Sequence, residues 1–169
     1  MSVFHEFDDV DKFTVGTEGR PGARTFFLQL RAEGTRLAVK CEKQQAAAIA
    51  QYLSKVLADL PPAEDRPIPG AMELTQPLEP VFVLGPIGLG YDRSNDRVLL
   101  QLEEVGEVDE NGEMVEDGDV RGHVRVYLTR GQAAAFTAHA DQVIESGRVD
   151  CQWCNNPMDP DGHVCPRMN

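Results

Sequence analysis

Two stretches of this chain carry the same succession of patterns, and that limits its fold more than any other feature. In the first, Phe13–Thr17 alternates loosely and runs into the turn-forming Glu18–Gly22. Thr25–Arg31 follows, rich in aromatic and β-compatible residues. After the turn at Glu33-Gly34, Arg36–Cys41 alternates with period two, so that Leu37, Val39 and Cys41 share one face. A helix is then predicted, with Ala46, Ile49, Leu53, Val56, Leu57 and Leu60 on one stripe and Pro61-Pro62 ending it.

The second stretch answers the first. Phe82–Gly85 resembles Phe13–Gly16, an offset of 69; Leu100–Leu102 matches Leu28–Leu30, an offset of 72. His123–Leu128 alternates like Arg36–Cys41, and Arg130–Phe136 answers Lys43–Ile49, both at an offset of 87. The growth from 72 to 87 places an insertion of 15 residues between the second and third strands of the second stretch. That insertion predicts an extended hairpin.

The pattern predicts an α+β protein with two β-β-β-α repeats forming one pseudo-twofold body. Residues 1–60 hold the first repeat, 61–80 a proline-rich linker, 81–148 the second repeat with its acidic hairpin insertion, and 149–169 a metal-binding tail. A unit of about 50 residues buries too little surface to be stable alone, which favours one fused body. The groove between the copies is then a natural place for a ligand or partner.

Charge narrows the partners. The net charge is −12, which repels nucleic-acid phosphates. Residues 103–119 alone hold nine Asp or Glu and no Lys or Arg. A solvated hairpin tip accounts for such a run; docking of a basic partner, or a weak divalent-cation site, is the functional alternative, without the fixed spacing of an EF-hand. No apolar run approaches the roughly 20 residues needed to cross a bilayer. The first residues lack the basic and apolar regions of a secretory signal, so a cytoplasmic location is expected.

The chemistry concentrates in the tail. Cys151 and Cys154 form C-x2-C, and His163 and Cys165 form H-x-C, with eight residues between Cys154 and His163. Thiolates and a neutral imidazole are the donors that tetrahedral Zn²⁺ prefers. Between the pairs, Asn155-Asn156-Pro157 and Asp159–Gly162 are turn formers that fold the second pair back on the first. Trp153 is the one aromatic in this segment, too little for an unaided core. The expectation is a structural zinc clip held by Cys151, Cys154, His163 and Cys165, with Trp153, Pro157, Met158 and Val164 lining it. A disulfide, a C-x2-C redox pair and a catalytic zinc with an open position are the alternatives.

Other candidates carry weaker signals. Cys41 ends a strand on its apolar side and reads as core. His5, His123 and His139 have no Ser, Cys or Asp at motif spacing. Glu18–Gly22 and Gly85–Gly90 bear glycines, but no helix follows either at once, so both read as hairpin turns or bulges. Glu42–Gln45 opens a helix with polar groups: contact with a partner is the functional reading, and N-terminal capping and solvation the structural one.

Four segments also carry a family resemblance: HEFD (His5–Asp8), the G-T-x-G-x-P-G-x-R-T-F-F-L-Q stretch (Gly16–Gln29), EKQQ (Glu42–Gln45), and the C-x-x-C-x-x-P-x-D-P-x-G-H-x-C-P-R-x-N ending (Cys151–Asn169). Together they resemble the actinobacterial family catalogued as domain of unknown function 3090. The resemblance implies a bacterial cytoplasmic protein and a deliberate metal clip, and the family has no established activity to carry over. The functional expectation is a non-enzymatic interaction or adaptor protein, or complex subunit, with zinc as structural cofactor and a protein partner. The alternatives are an enzyme with Glu18, Arg24, Glu42 and Gln44 converging between the repeats, and, last, nucleic-acid binding through the clip, which has only Arg148 and Arg167 as cations.

Overall fold

The computed structural model describes residues 4–20, 22–107, 109–113, 121–146, 150–156, 158 and 162–167. Its first strand, β1 (Phe4–Phe7), was not anticipated from the sequence. Three strands and a helix follow: β2 (Lys12–Glu18), β3 (Thr25–Ala32), β4 (Thr35–Cys41) and α1 (Lys43–Ala58). A second set has the same order: β5 (Pro80–Asp92), β6 (Arg97–Glu104), β7 (His123–Leu128) and α2 (Arg130–Glu145). The result is a mixed α+β architecture. Between the sets the linker is irregular apart from a short 3-10 turn, Pro69–Met72.

The seven strands form one sheet in the order β1-β7-β6-β5-β4-β3-β2. Neighbours within each set are antiparallel. The two joins, β4 with β5 and β7 with β1, are parallel. Each parallel join comes after a helix or a long return of the chain, as such a connection requires.

The edges of this sheet lie close together, because β1 and β2 are joined by residues 8–11 alone. A flat sheet of this order would separate its outer strands by roughly 29 Å at about 4.8 Å per strand. The chain from Phe7 to Lys12 spans at most about 18 Å. The sheet therefore curls strongly.

Its inner face is apolar. Phe13 and Val15 pair with Leu30 and Leu28, Leu89 and Ile87 with Leu100 and Leu102, and Val124 and Val126 with Leu102 and Leu100. These side chains join one core with Ile49 and Leu53 of α1 and Phe136 of α2. The helices pack on each other. Buried Ala46 and Ala50 on one, and Ala133 and Ala140 on the other, keep those surfaces small. Each fully buried Leu, Val or Phe here contributes about 1.5–3 kcal/mol.

Helix α2 lies beside the edge strand β2. The rings of Phe13 and Phe136 stand 5.0 Å apart. Gln132 Nε2 donates to the Val10 carbonyl, and Arg24 Nη1 donates to the Val143 carbonyl at 3.1 Å. An edge covered in this way is protected from pairing with another chain.

The outer face of β2–β3 is covered by the linker, an arrangement not foreseen in the sequence. Gln29 and Thr75 exchange two hydrogen bonds, Thr75 N to Oε1 at 2.7 Å and Nε2 to the Thr75 carbonyl at 2.8 Å. Thr14 Oγ1 donates to the Met72 carbonyl and Lys12 Nζ to that of Glu73. These bonds satisfy Thr14 and Gln29, both nearly inaccessible to solvent. Gly16 admits Leu74: a Cβ there would stand 2.4 Å from Leu74 Cγ.

Two turn expectations resolve differently. The expected turn after Glu18 joins β2 to β3, with Gly19 and Gly22 at φ of 98° and 90°, while Pro21 lies outside the described residues. Gly85–Gly90 lies inside β5 rather than in a hairpin turn, and the pairing with β6 shifts register between Leu84 and Ile87. The bulge is the reading that fits, since Pro86 cannot donate to a ladder. Of the acidic insertion, residues 109–113 form a turn in which Asp109 N donates to the Glu113 carbonyl at 2.8 Å. Residues 108 and 114–120 of the expected extended hairpin lie outside the described residues.

Candidate metal centre

Beyond α2, four chemically distinctive side chains converge. Cys151 begins a tight turn: Asn155 N donates to the Cys151 carbonyl at 2.8 Å, and Cys151 N to the Asn156 carbonyl at 2.8 Å. Asn155 takes a left-handed φ of 59°, a conformation asparagine tolerates. The turn brings Cys154 beside Cys151. Gly162, at φ 136°, precedes His163 and Cys165.

The ligand atoms of Cys151, Cys154, His163 and Cys165 all lie within 4.8 Å of one another. The Sγ atoms of Cys151 and Cys165 are 3.8 Å apart. Two thiolates about 2.3 Å from one tetrahedral ion would stand about 3.8 Å apart. Cys154 Sγ and His163 Nε2 are 3.3 Å apart. For sulfur and nitrogen at roughly 2.3 and 2.0 Å the corresponding edge is about 3.5 Å. The three thiols are free rather than disulfide-bonded. Four closely grouped soft and borderline donors fit a tetrahedral ion well.

Backbone amides tune the sulfurs. The N–H groups of Trp153 and Cys154 point at Cys151 and push its thiol down to about 7, which favours the thiolate that metals bind. Burial pushes Cys165 up, opposed by the Arg167 N–H. Cys151 and Cys165 are buried, while Cys154 and His163 are partly accessible.

Two of the four residues expected to line the clip, Trp153 and Val164, face outward. Trp153 is 56% exposed and Val164 83% exposed. Met158 is half-buried, and Pro157 lies outside the described residues.

The other histidines and Cys41 do not join a ligand cluster among the described residues. Cys41 is core, its thiol pushed up to about 12 by burial and by the neighbouring Glu42. His5 stacks on Phe7 at 5.6 Å between ring centroids. His123 lies tilted against Phe4 at 5.6 Å, its buried Nε2 without a hydrogen-bond partner among the described residues. Burial lowers the His139 pKa, partly offset by a hydrogen bond to the Val15 carbonyl.

Of the four polar groups expected between the repeats, Arg24 and Glu42 line a common cleft, with a volume of about 680 Å³. Glu18 instead accepts a hydrogen bond from Gln76 at 2.8 Å. Gln44 is exposed on α1. The same cleft holds Lys43, part of the helix opening expected to offer polar groups to a partner, and Lys40, which sequence reasoning did not single out. Arg148 lies outside the described residues.

Fold and site together define an α+β protein with a candidate Cys₃His metal centre at the end of its second helix. The chain belongs to the family described as protein of unknown function DUF3090, whose model matches residues 5–165. No curated protein and no solved structure matches it. No helix among the described residues is long and apolar enough to cross a membrane.

Proposed function

We propose that this protein is a cytoplasmic, non-enzymatic interaction or adaptor protein whose C-terminal clip is ordered by zinc and presented to a protein partner. One observation carries the reading: four ligand atoms within 4.8 Å support a compact metal-bound turn. That turn displays Trp153 and Val164 to solvent. Large apolar side chains held outward on a rigid support are typical of binding surfaces, where tryptophan is an enriched anchor. With four protein ligands, zinc would have no open position for water, which favours a structural role over catalysis. The acidic run at 103–119 would speed association with a basic surface.

The two sets of elements are best read as copies about a pseudo-twofold axis. Ala38↔Pro80 and Arg125↔Glu6 pair across the two parallel joins, and both equivalences (125 from 38 and 80 from 6) fall on constant offsets of 87 and 74. Val15↔Leu28 and Leu89↔Leu100 give the first strand the same offset of 74, in place of the 69 expected from Phe13–Gly16 and Phe82–Gly85, and the second strand the expected 72. Gln45 and Gln132, 87 apart, make matching bonds. Each accepts from the backbone N–H three residues earlier, at 2.8 and 2.9 Å, and each donates Nε2 to a backbone carbonyl of the other set.

Affinity capture from native lysate tests the partner reading. The metal-loaded protein is expected to retain a stoichiometric partner that Trp153→Ala and Cys154→Ser both lose. Retention of that partner by both variants would place the binding surface elsewhere.

A further inference from the structure

We propose that the cleft beside the start of α1 binds the anionic group of a small molecule, a carboxylate or a phosphate, through Arg24, Lys40 and Lys43. The inference rests on the correspondence between the two sets of elements and is independent of the metal centre.

The two sets differ at one equivalent place. In the second, Asp96 immediately precedes β6 and Arg130 opens α2. Arg130 Nε donates to both carboxylate oxygens of Asp96, at 3.0 and 3.1 Å, and Tyr91 Oη donates to the same carboxylate at 2.5 Å. At the equivalent positions of the first set, 72 and 87 residues earlier, stand Arg24, immediately before β3, and Lys43, opening α1. An ion pair is thus replaced by two cations, and a third, Lys40, lines the same cleft. None of the three forms an ion pair among the described residues, and like charges gathered in this way repel. A bound anion would take the place that the Asp96 carboxylate fills in the other copy.

The cations are ready for one. Nη1 of Arg24 is held by the Val143 carbonyl at 3.1 Å and by Ser146 Oγ at 3.2 Å. Its guanidinium stands over the Phe26 ring at 5.3 Å. Nε and Nη2 make no hydrogen bond among the described residues, so a fixed guanidinium keeps donors for an oxyanion. The ammonium groups of Lys40 and Lys43 make neither hydrogen bond nor ion pair among the described residues. A volume of about 680 Å³ falls within the ordinary range for small-molecule sites. Glu42, Glu145 and Asp150 also line the cleft and balance its formal charge. They select a ligand with a single anionic group against polyphosphates and nucleic acids.

The test is a titration of the isotope-labelled, metal-loaded full chain with inorganic phosphate and, separately, with acetate, at constant ionic strength, followed by NMR. Saturable shifts at the Arg24 side chain and the Glu42–Gln45 amides are expected with at least one probe, and the tighter probe assigns the class. Arg24→Gln and Lys43→Gln are each expected to weaken binding by about tenfold or more. Arg24→Asp, which restores the carboxylate of the second copy, is expected to abolish it. Arg36→Gln, an exposed cation outside the cleft, is expected to change nothing. Shifts that fail to saturate with either probe, or equal affinity in Lys43→Gln and wild type, would overturn the proposal.

Discussion

Gly131 of α2 sits so close beneath the Asp65 carbonyl that a Cβ on it would stand 1.5 Å from that oxygen. The second residue of the helix is thereby fixed to the linker, which cannot pass there over any side chain. Arg130 reinforces the contact by donating to the Pro61 carbonyl. Gly131→Ala must push the linker away. The expected cost is about 1–3 kcal/mol, the range for overpacking a tight site, seen as a lower thermal midpoint. An unchanged midpoint would mean that the linker is not seated on α2.

Acid sensitivity should be traceable in part to His139. Burial lowers its pKa in the folded state below the ordinary histidine value, so the unfolded chain binds a proton more readily. By linkage, stability from this group is complete above pH about 6.5 and falls as the pH drops through that value. The Val15 carbonyl and the Glu73 charge oppose the shift and Lys12 adds to it. His139→Gln should therefore flatten the loss of stability between roughly pH 6.5 and 5 in denaturant titrations. A variant as acid-sensitive as wild type would contradict this.

Local chemistry and long-range geometry were unequally legible in the sequence. His123–Leu128 is a strand with the expected bounds because alternate apolar residues need no partner to be recognised. The Cys/His spacing likewise led to four residues that the fold brings together. Strand β1 escaped notice because four residues are stabilised by pairing with β7, more than a hundred positions away. The linker's place over Thr14 and Gln29 was invisible for the same reason, although two polar residues flanked by core positions were a clue. One local signal was missed: Thr129 and Gln132 spell a capping box, and Gln132 N donates to Thr129 Oγ1 at 3.0 Å. Arg24 and Lys43 gain meaning only from their counterparts in the second set, Asp96 and Arg130, whose contact no spacing announces.

If one ion organises the tail, elemental analysis of protein purified without chelators, in medium containing zinc, will detect it. One zinc per chain is expected in the wild type and none in Cys154→Ser, whose far-UV circular dichroism should keep the signature of the sheet and both helices. Structural zinc supplies roughly 10–16 kcal/mol in small peptides, ample to order so short a segment. A wild-type chain free of zinc, or a Cys154→Ser variant that keeps the full complement, would contradict it.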